Sequence, residues 1–337
     1  MVQERAPRAR MDDIARRVGV SRTTVSFVLN DRPNVSVSLD TRKKIREVAA
    51  ELGYRPHAGA RALAAQKSGL IGMVTEIVTS PFGPEIIKGA QDAAWRSGKF
   101  LLIAASEGDP ELERTAIERL LEQRVEGLIF ASSMHVEMTL PPSLDGVPTI
   151  LVHATDQKGL VPSIVPDEEG GGELATRYLV EKGHRRIGLV NLERGTLAAR
   201  GRLDGYVRAL TEHGIAYDPE IVVHAGGTAD DGYETALRIL DLANPPTALF
   251  CATDRMAMGA YEAIKERGLS IPGDVAVVGF DDQELIAGFL RPKLTTVALP
   301  FVSMGSQAVA LLAALIAREP VPSRTLVPCP LVERDSA

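Results

Sequence analysis

Along the first sixty residues, apolar positions recur at helical spacing. In MDDIARRVGVSRTTVSFVLN, Ile14, Ala15 and Val18 share one face, and Gly19 breaks the run at a position suited to positive φ. Ser21 can cap a second helix whose apolar face is Val25, Val28 and Leu29. A third helix is expected from about Ser38, with Ile45, Val48, Ala49 and Leu52 as its buried stripe and Gly53 as its stop. From Gly69 the pattern changes. GLIGMVTEIV, KFLLIAAS, GLIFAS, TILVHA and SIV read as strands, with PEIIKGAQDAAWRSG and DPELERTAIERLLEQ as intervening helices. A second series opens near Asp167 with the helix EEGGGELATRYLVEKG. It alternates strands RIGLVN, EIVVHA, TALFCA and DVAVVGF with helices GRLDGYVRALTEHG, DDGYETALRILDLA and RMAMGAYEAIKERG. LTTVAL, the apolar helix 302–317 and TLVPCPLVE follow. The pattern predicts a small all-α helix-turn-helix head and a two-lobe α/β core with parallel sheets.

Composition adds a polarity between these parts. Of 337 residues, 45% are hydrophobic, enough for a sizeable core, and the net charge is −6. Residues 1–67 nonetheless carry +7, leaving −13 on the remainder. A basic head on an acidic body attracts phosphate at one end and repels it at the other. The two cysteines, Cys251 and Cys329, form no disulfide framework. The N-terminus lacks an apolar export run, and no stretch reaches membrane-spanning length, so a cytoplasmic protein without membrane contact is expected.

Between head and core, Pro56 ends the third helix and Ala58 to Ala65 form a weak helical run carrying Arg61 and Leu63. VSRTTVSFVLN followed by ELGYRPHAGARALA resembles the DNA-binding head and hinge of the LacI/GalR family of transcription regulators, and the similarity runs from about Met11 to LVERDSA. It implies a homodimer on a pseudo-palindromic operator, with Leu63 wedging into the central minor-groove step and Arg61 nearby. Arg22 is the candidate for a base edge, Thr23 and Phe27 for shape and thymine-methyl contacts, with Ser26 on the same outward face. Ser21, Thr24 and Asn30 suit backbone register. The expected division is 1–57 for the head, 58–68 for the hinge, and 69–337 for a core resembling periplasmic sugar-binding proteins. Its first lobe is expected at about 69–165 and 295–322 and its second at about 166–292 and 323–337, with three chain crossings between them.

Open α/β sheets bind ligands beyond the C-terminal ends of their strands. That rule selects Phe82, Ser132, Ser133, Arg202 at a helix start, Thr253, Asp254 and Asp281 as effector candidates, a set suited to a polyhydroxylated small molecule. In the family, the positions matching Phe82, Arg202 and Asp281 commonly line the effector pocket. Gly226, Gly227 and Leu299 depart from residues that many relatives carry there. Asp254 has an alternative reading as a helix N-cap, and Arg202 as a surface ion pair.

Enzyme signatures are absent. EEGGGELA mimics a dinucleotide loop, but Asp167, Glu168 and Glu169 would repel a pyrophosphate. Gly98–Lys99 lacks the rest of a P-loop, and no GxSxG elbow occurs. The scattered histidines give no metal-ligand spacing, so neither metal nor cofactor is expected. His184, past a helix end where a cation meets the C-terminal dipole, reads as structural. A transport-type sugar-binding protein would share the lobes but needs an export signal and no basic head. An α/β enzyme would need a catalytic constellation.

Overall fold

A computed structural model describes residues 9–30, 36–54, 67–76 and 83–337. The chain divides into two compact units, 1–69 and 70–337. In the first, α1 (Met11–Val18), α2 (Arg22–Leu29) and α3 (Leu39–Glu51) enclose Ile14, Val25, Val28 and Ile45, each essentially without solvent contact. The boundaries are set locally. Gly19 adopts φ 80° and ends α1, a left-handed conformation costly for a residue with a Cβ. Ser21 and Ser38 cap α2 and α3 by accepting from the amides of Thr24 and Thr41. The hinge residues Arg61 and Leu63, and Phe82 in the core, lie outside the described residues.

The second unit contains two six-stranded sheets. In chain order the strands are β1 (Leu70–Thr75), β2 (Phe100–Ala105), β3 (Leu128–Met138), β4 (Thr149–Asp156), β5 (Ser163–Pro166), β6 (Ile187–Leu192), β7 (Val222–Ala225), β8 (Ala248–Cys251), β9 (Ala276–Asp281), β10 (Thr295–Ala298), β11 (Arg324–Val327) and β12 (Leu331–Val332). The first sheet has the order β11-β5-β4-β3-β1-β2 and is parallel. The second runs β12-β10-β9-β8-β6-β7, with β12 antiparallel to β10. Helices α4 (Gly83–Arg96), α5 (Pro110–Glu122) and α11 (Phe301–Ile316) pack with the first sheet. Helices α6 (Glu168–Glu181), α7 (Leu197–Glu212), α8 (Ala229–Leu240) and α9 (Asp254–Glu266) pack with the second, and the short α10 (Glu284–Ala287) follows β9.

The chain crosses between lobes at 166–168, 298–301 and 327–331. Two lobe boundaries differ from expectation. Residues 295–298 belong to the second sheet, because β10 pairs with β9 from Thr295 opposite Val278 onward. Residues 324–327 belong to the first, because β11 pairs with β5. The connecting segments are tied to one another: the Asp167 amide donates to Val327 O (2.9 Å) and the Ala298 amide to Pro330 O (2.8 Å).

Helix α7 starts at Leu197, capped by Thr196, so Arg202 stands in its second turn and not at the helix start. It crosses α6 closely, which glycine permits. A Cβ on Gly172 would strike the Arg202 backbone, and one on Gly205 the backbone of Glu169 and Glu173. This contact brings the first turn of α6 against Arg202.

Candidate functional site

On α2 the candidate residues separate into two sets. Ser21 Oγ accepts from the Thr24 amide at 3.0 Å, and the two hydroxyls lie 2.9 Å apart. Asn30 Nδ2 donates to Ser26 O (2.8 Å) and Ser26 Oγ (3.2 Å). These four fix the ends of the helix. Arg22 and Thr23 stand exposed, and Phe27 is half-buried. Asp12 approaches Arg22 Nε at 3.8 Å with both side chains exposed, a contact of small energetic weight that leaves the guanidinium available. Lys43, Lys44 and Arg46 are exposed on α3.

In the core, the second-lobe candidates Arg202 and Asp281 meet. Arg202 Nε donates to Glu168 Oε2 at 2.8 Å, its Nη1 donates to Ala252 O and lies 3.9 Å from Asp281 Oδ1, and its guanidinium stacks 3.8 Å above the Phe280 ring. Arg202 and Glu168 side chains are 3% and 4% exposed. The alternative of a surface ion pair for Arg202 therefore does not hold. Asp281 (φ 118°) and Asp282 (φ 58°) both occupy left-handed backbone at the end of β9, a conformation held only by surrounding structure.

Burial alone would push the Glu168 carboxyl upward, but the Arg202 charge and the His135 ring outweigh it and hold the group down at about 2. Asp281 shifts the other way, because burial outweighs the pull of Arg202 and Gln283. One guanidinium thus sits between a firmly ionised carboxylate and a reluctant one.

Thr253 and Asp254 serve the fold. Thr253 is the N-cap of α9, accepting from Met256 N at 3.0 Å. Asp254, one position further, accepts from Gln283 N (2.7 Å) and Thr296 Oγ1 (2.6 Å) and has no solvent contact. The N-cap reading belongs to Thr253, and Asp254 instead ties the helix start to β10 and to the turn after β9.

In the first lobe, β3 continues through Ser132 and Ser133 to Met138, with a register shift against β4 between Ala131 and Val136. Both serine hydroxyls donate to the Glu76 carboxylate, at 2.9 and 2.8 Å. His135 on β3 stacks on His153 (centroids 5.6 Å apart), and His153, at φ 58°, meets the Phe301 ring edge-on. Burial drives His153 down to about 3, against the upward pull of Glu168. His135 Nδ1 reaches 3.5 Å from Glu168 Oε1 across the lobe junction without hydrogen-bond geometry, and both ring nitrogens and Oε1 lack hydrogen-bond partners among the described residues. His184 has a structural contact, its Nδ1 2.8 Å from Thr247 Oγ1, but burial pushes it down, away from the cationic form that a helix dipole would favour.

Sequence reasoning missed Glu168, His135, His153, Glu76 and Gln283. Glu168 entered the sequence reading only as a charge that would repel a pyrophosphate, and only its partner on another helix distinguishes it. The glycines of EEGGGELA and RGRLDG were the available signal, since paired glycines on two helices announce close approach. A separate cavity of about 510 Å³, lined by Glu85, Asp92, Arg96, Leu299, Val302 and Gln307, touches none of the described ligand candidates.

The two units define a class: a helix-turn-helix head and, in the same chain, a two-lobe α/β core with polar groups at its strand ends. Residues 10–57 match the family described as bacterial regulatory proteins, lacI family, and residues 176–337 match the periplasmic binding protein-like domain. The HTH-type transcriptional regulator GalR of Escherichia coli is 34% identical over 97% of this chain and 95% of its own length. The lac repressor dimer solved with operator and the anti-inducer ONPF aligns with a TM-score of 0.82 and 32% identity, over 97% of this chain and 98% of that one. The cellobiose complex of the transcriptional regulator CelR aligns with a TM-score of 0.69 and 31% identity, over 98% of this chain and the whole of that one. The chain belongs to the LacI family. Among the described residues no helix is long and apolar enough to cross a membrane.

Proposed function

We propose that this LacI-family regulator is a repressor that reads a pseudo-palindromic operator as a cytoplasmic homodimer, and that a sugar or related metabolite between its lobes controls it. The observation that carries the reading is the exposed Arg22–Thr23 pair at the start of a helix whose ends are fixed by its own side chains. Arg22 would donate to a base edge, guanine by its bidentate acceptor geometry, with Thr23 and Phe27 giving shape and methyl contacts. Ser21, Thr24 and Asn30, engaged with their own helix, would fix backbone register, with Ser26 beside them. Arg61 and Leu63, outside the described residues, are assigned to the groove and the minor-groove wedge.

Effector contacts are assigned to Arg202, Asp281, Ser132 and Ser133, and to Phe82 outside the described residues. Thr253 and Asp254 act one layer back, holding the turn after β9. The relatives support this division of labour: one is solved as a dimer on its operator, another with cellobiose. The role is binding and not turnover. Closure of the lobes need shift operator affinity by only about 1–3 kcal/mol to change occupancy several-fold or more.

The test is a binding titration of the promoter fragment upstream of its own gene, with and without sugars, nucleosides and related metabolites. The reading predicts selective binding that at least one of them weakens or strengthens. Indifference to every metabolite, with operator binding intact, would remove the sensor half of the proposal.

A further inference from the structure

In a polyol-binding cleft, an arginine at the position of Arg202 could take a ligand hydroxyl, a carboxylate or a phosphate equally well by its donor geometry. Here its Nε edge is already occupied. Glu168, at the first position of α6, places Oε2 2.8 Å from that nitrogen, and its Cβ packs so closely against Gly201 of α7 that a Cβ there would clash with it. Asp281 lies 3.9 Å from Nη1, and Phe280 covers one face of the guanidinium. Three sides of the cation are therefore committed: Nε to Glu168, Nη1 to Ala252 O with Asp281 close by, and one face to Phe280. The remaining oxygen of Glu168 is buried, without a hydrogen-bond partner among the described residues, and turned toward His135 of the other lobe.

We propose that Glu168 is a positioning residue that fixes Arg202 and neutralises it toward the cleft, so that the site selects uncharged polyhydroxylated ligands and refuses carboxylate- or phosphate-bearing ones. This rests on the cleft being the effector site. An anionic ligand at Arg202 lies within the field of Glu168, in a buried setting where like charges are weakly screened. A neutral hydroxyl has no such penalty and can still accept from the guanidinium. Glu168 stays ionised throughout the working pH range, which makes the exclusion permanent.

Inorganic phosphate is the probe, read by thermal shift on the full chain against chloride at equal ionic strength. Glu168→Gln keeps an acceptor for Arg202 Nε and deletes the charge. Its melting temperature is expected to rise saturably with phosphate by about 2–4 °C, a binding linkage that salting effects do not mimic. Adding Arg202→Gln should abolish that rise, and Glu168→Asp, which restores the charge, should suppress it. A folded Glu168→Gln protein insensitive to phosphate overturns the proposal.

The wild type gives a test independent of how the variants fold. Its melting temperature should show no saturable response to phosphate against chloride at equal ionic strength, and a saturable rise in wild type overturns the proposal. Operator binding, measured on the same preparations, reports on the regulator reading whatever phosphate does to the core.

Discussion

Arg22 and Arg202 carry the same charge into opposite surroundings. Arg22 faces water with a loose acidic neighbour and is available to a partner. Arg202 is desolvated, and its ion pair is part of the core. Arg22→Ala should cost about 1–3 kcal/mol at one operator base position, read from a panel of single-base operator variants. A uniform loss across all sequences would make it a phosphate contact instead.

Asp281→Asn, chosen because asparagine tolerates positive φ, should leave the fold intact and erase the metabolite-induced thermal shift. A preserved shift would place the ligand elsewhere.

His153 gives a pH prediction. The unfolded chain takes up this proton below about 6.5, the folded chain only near 3, so acidification through that window costs stability. The cost is about 2 kcal/mol between pH 6.5 and 5. Asp281, raised in the folded state, acts in reverse: its contribution grows as pH falls from its folded value toward the ordinary carboxylate range. The wild-type profile is therefore damped, and the difference from His153→Asn isolates the histidine. The variant should gain about 2 kcal/mol relative to wild type over that interval in urea denaturation. A pH-independent difference would contradict it.

At the scale of elements, what was legible in the sequence was what local chemistry decides. The head helices were readable because Gly19, Ser21, Ser38 and Gly53 terminate them within a few residues of their own buried stripes. The start of α7 was misplaced by four residues because Thr196, a good cap, stands in a loop without hydrophobic periodicity. Strands β10 and β11 were assigned to the wrong lobes because their pairing is non-local: each joins a sheet whose other members lie far away in sequence. Of the buried polar cluster, the strand-end rule singled out Arg202 and Asp281, whereas Glu168 and His135 join it only through a helix crossing and a lobe junction. That crossing is itself testable. Gly205→Ala drives a methyl into the α6 backbone, so it should destabilise the core by about 1–3 kcal/mol in denaturant titration. An unchanged midpoint would mean that the helices are not held as closely as described.

At the scale of the molecule, the lobes are joined by three strands of chain that hydrogen-bond to one another, a connection able to bend as a unit. A polar core straddling that junction, with His135 on one side and Glu168 and Arg202 on the other, is placed to register whether the lobes are together. Under the proposed function, the basic head in the same chain would convert such a change into DNA occupancy, with phosphate attraction giving it binding and Arg22 with Thr23 giving it preference.

A regulator of this kind depends on a head that selects sequence. The direct measurement is the ratio of affinities of the full chain for its own upstream promoter fragment and for random duplex of equal length, at one fixed salt concentration. The account predicts a ratio of about 10³ or more, reduced by Arg22→Ala. Equal affinity for both duplexes, in the presence and absence of candidate metabolites, would contradict it.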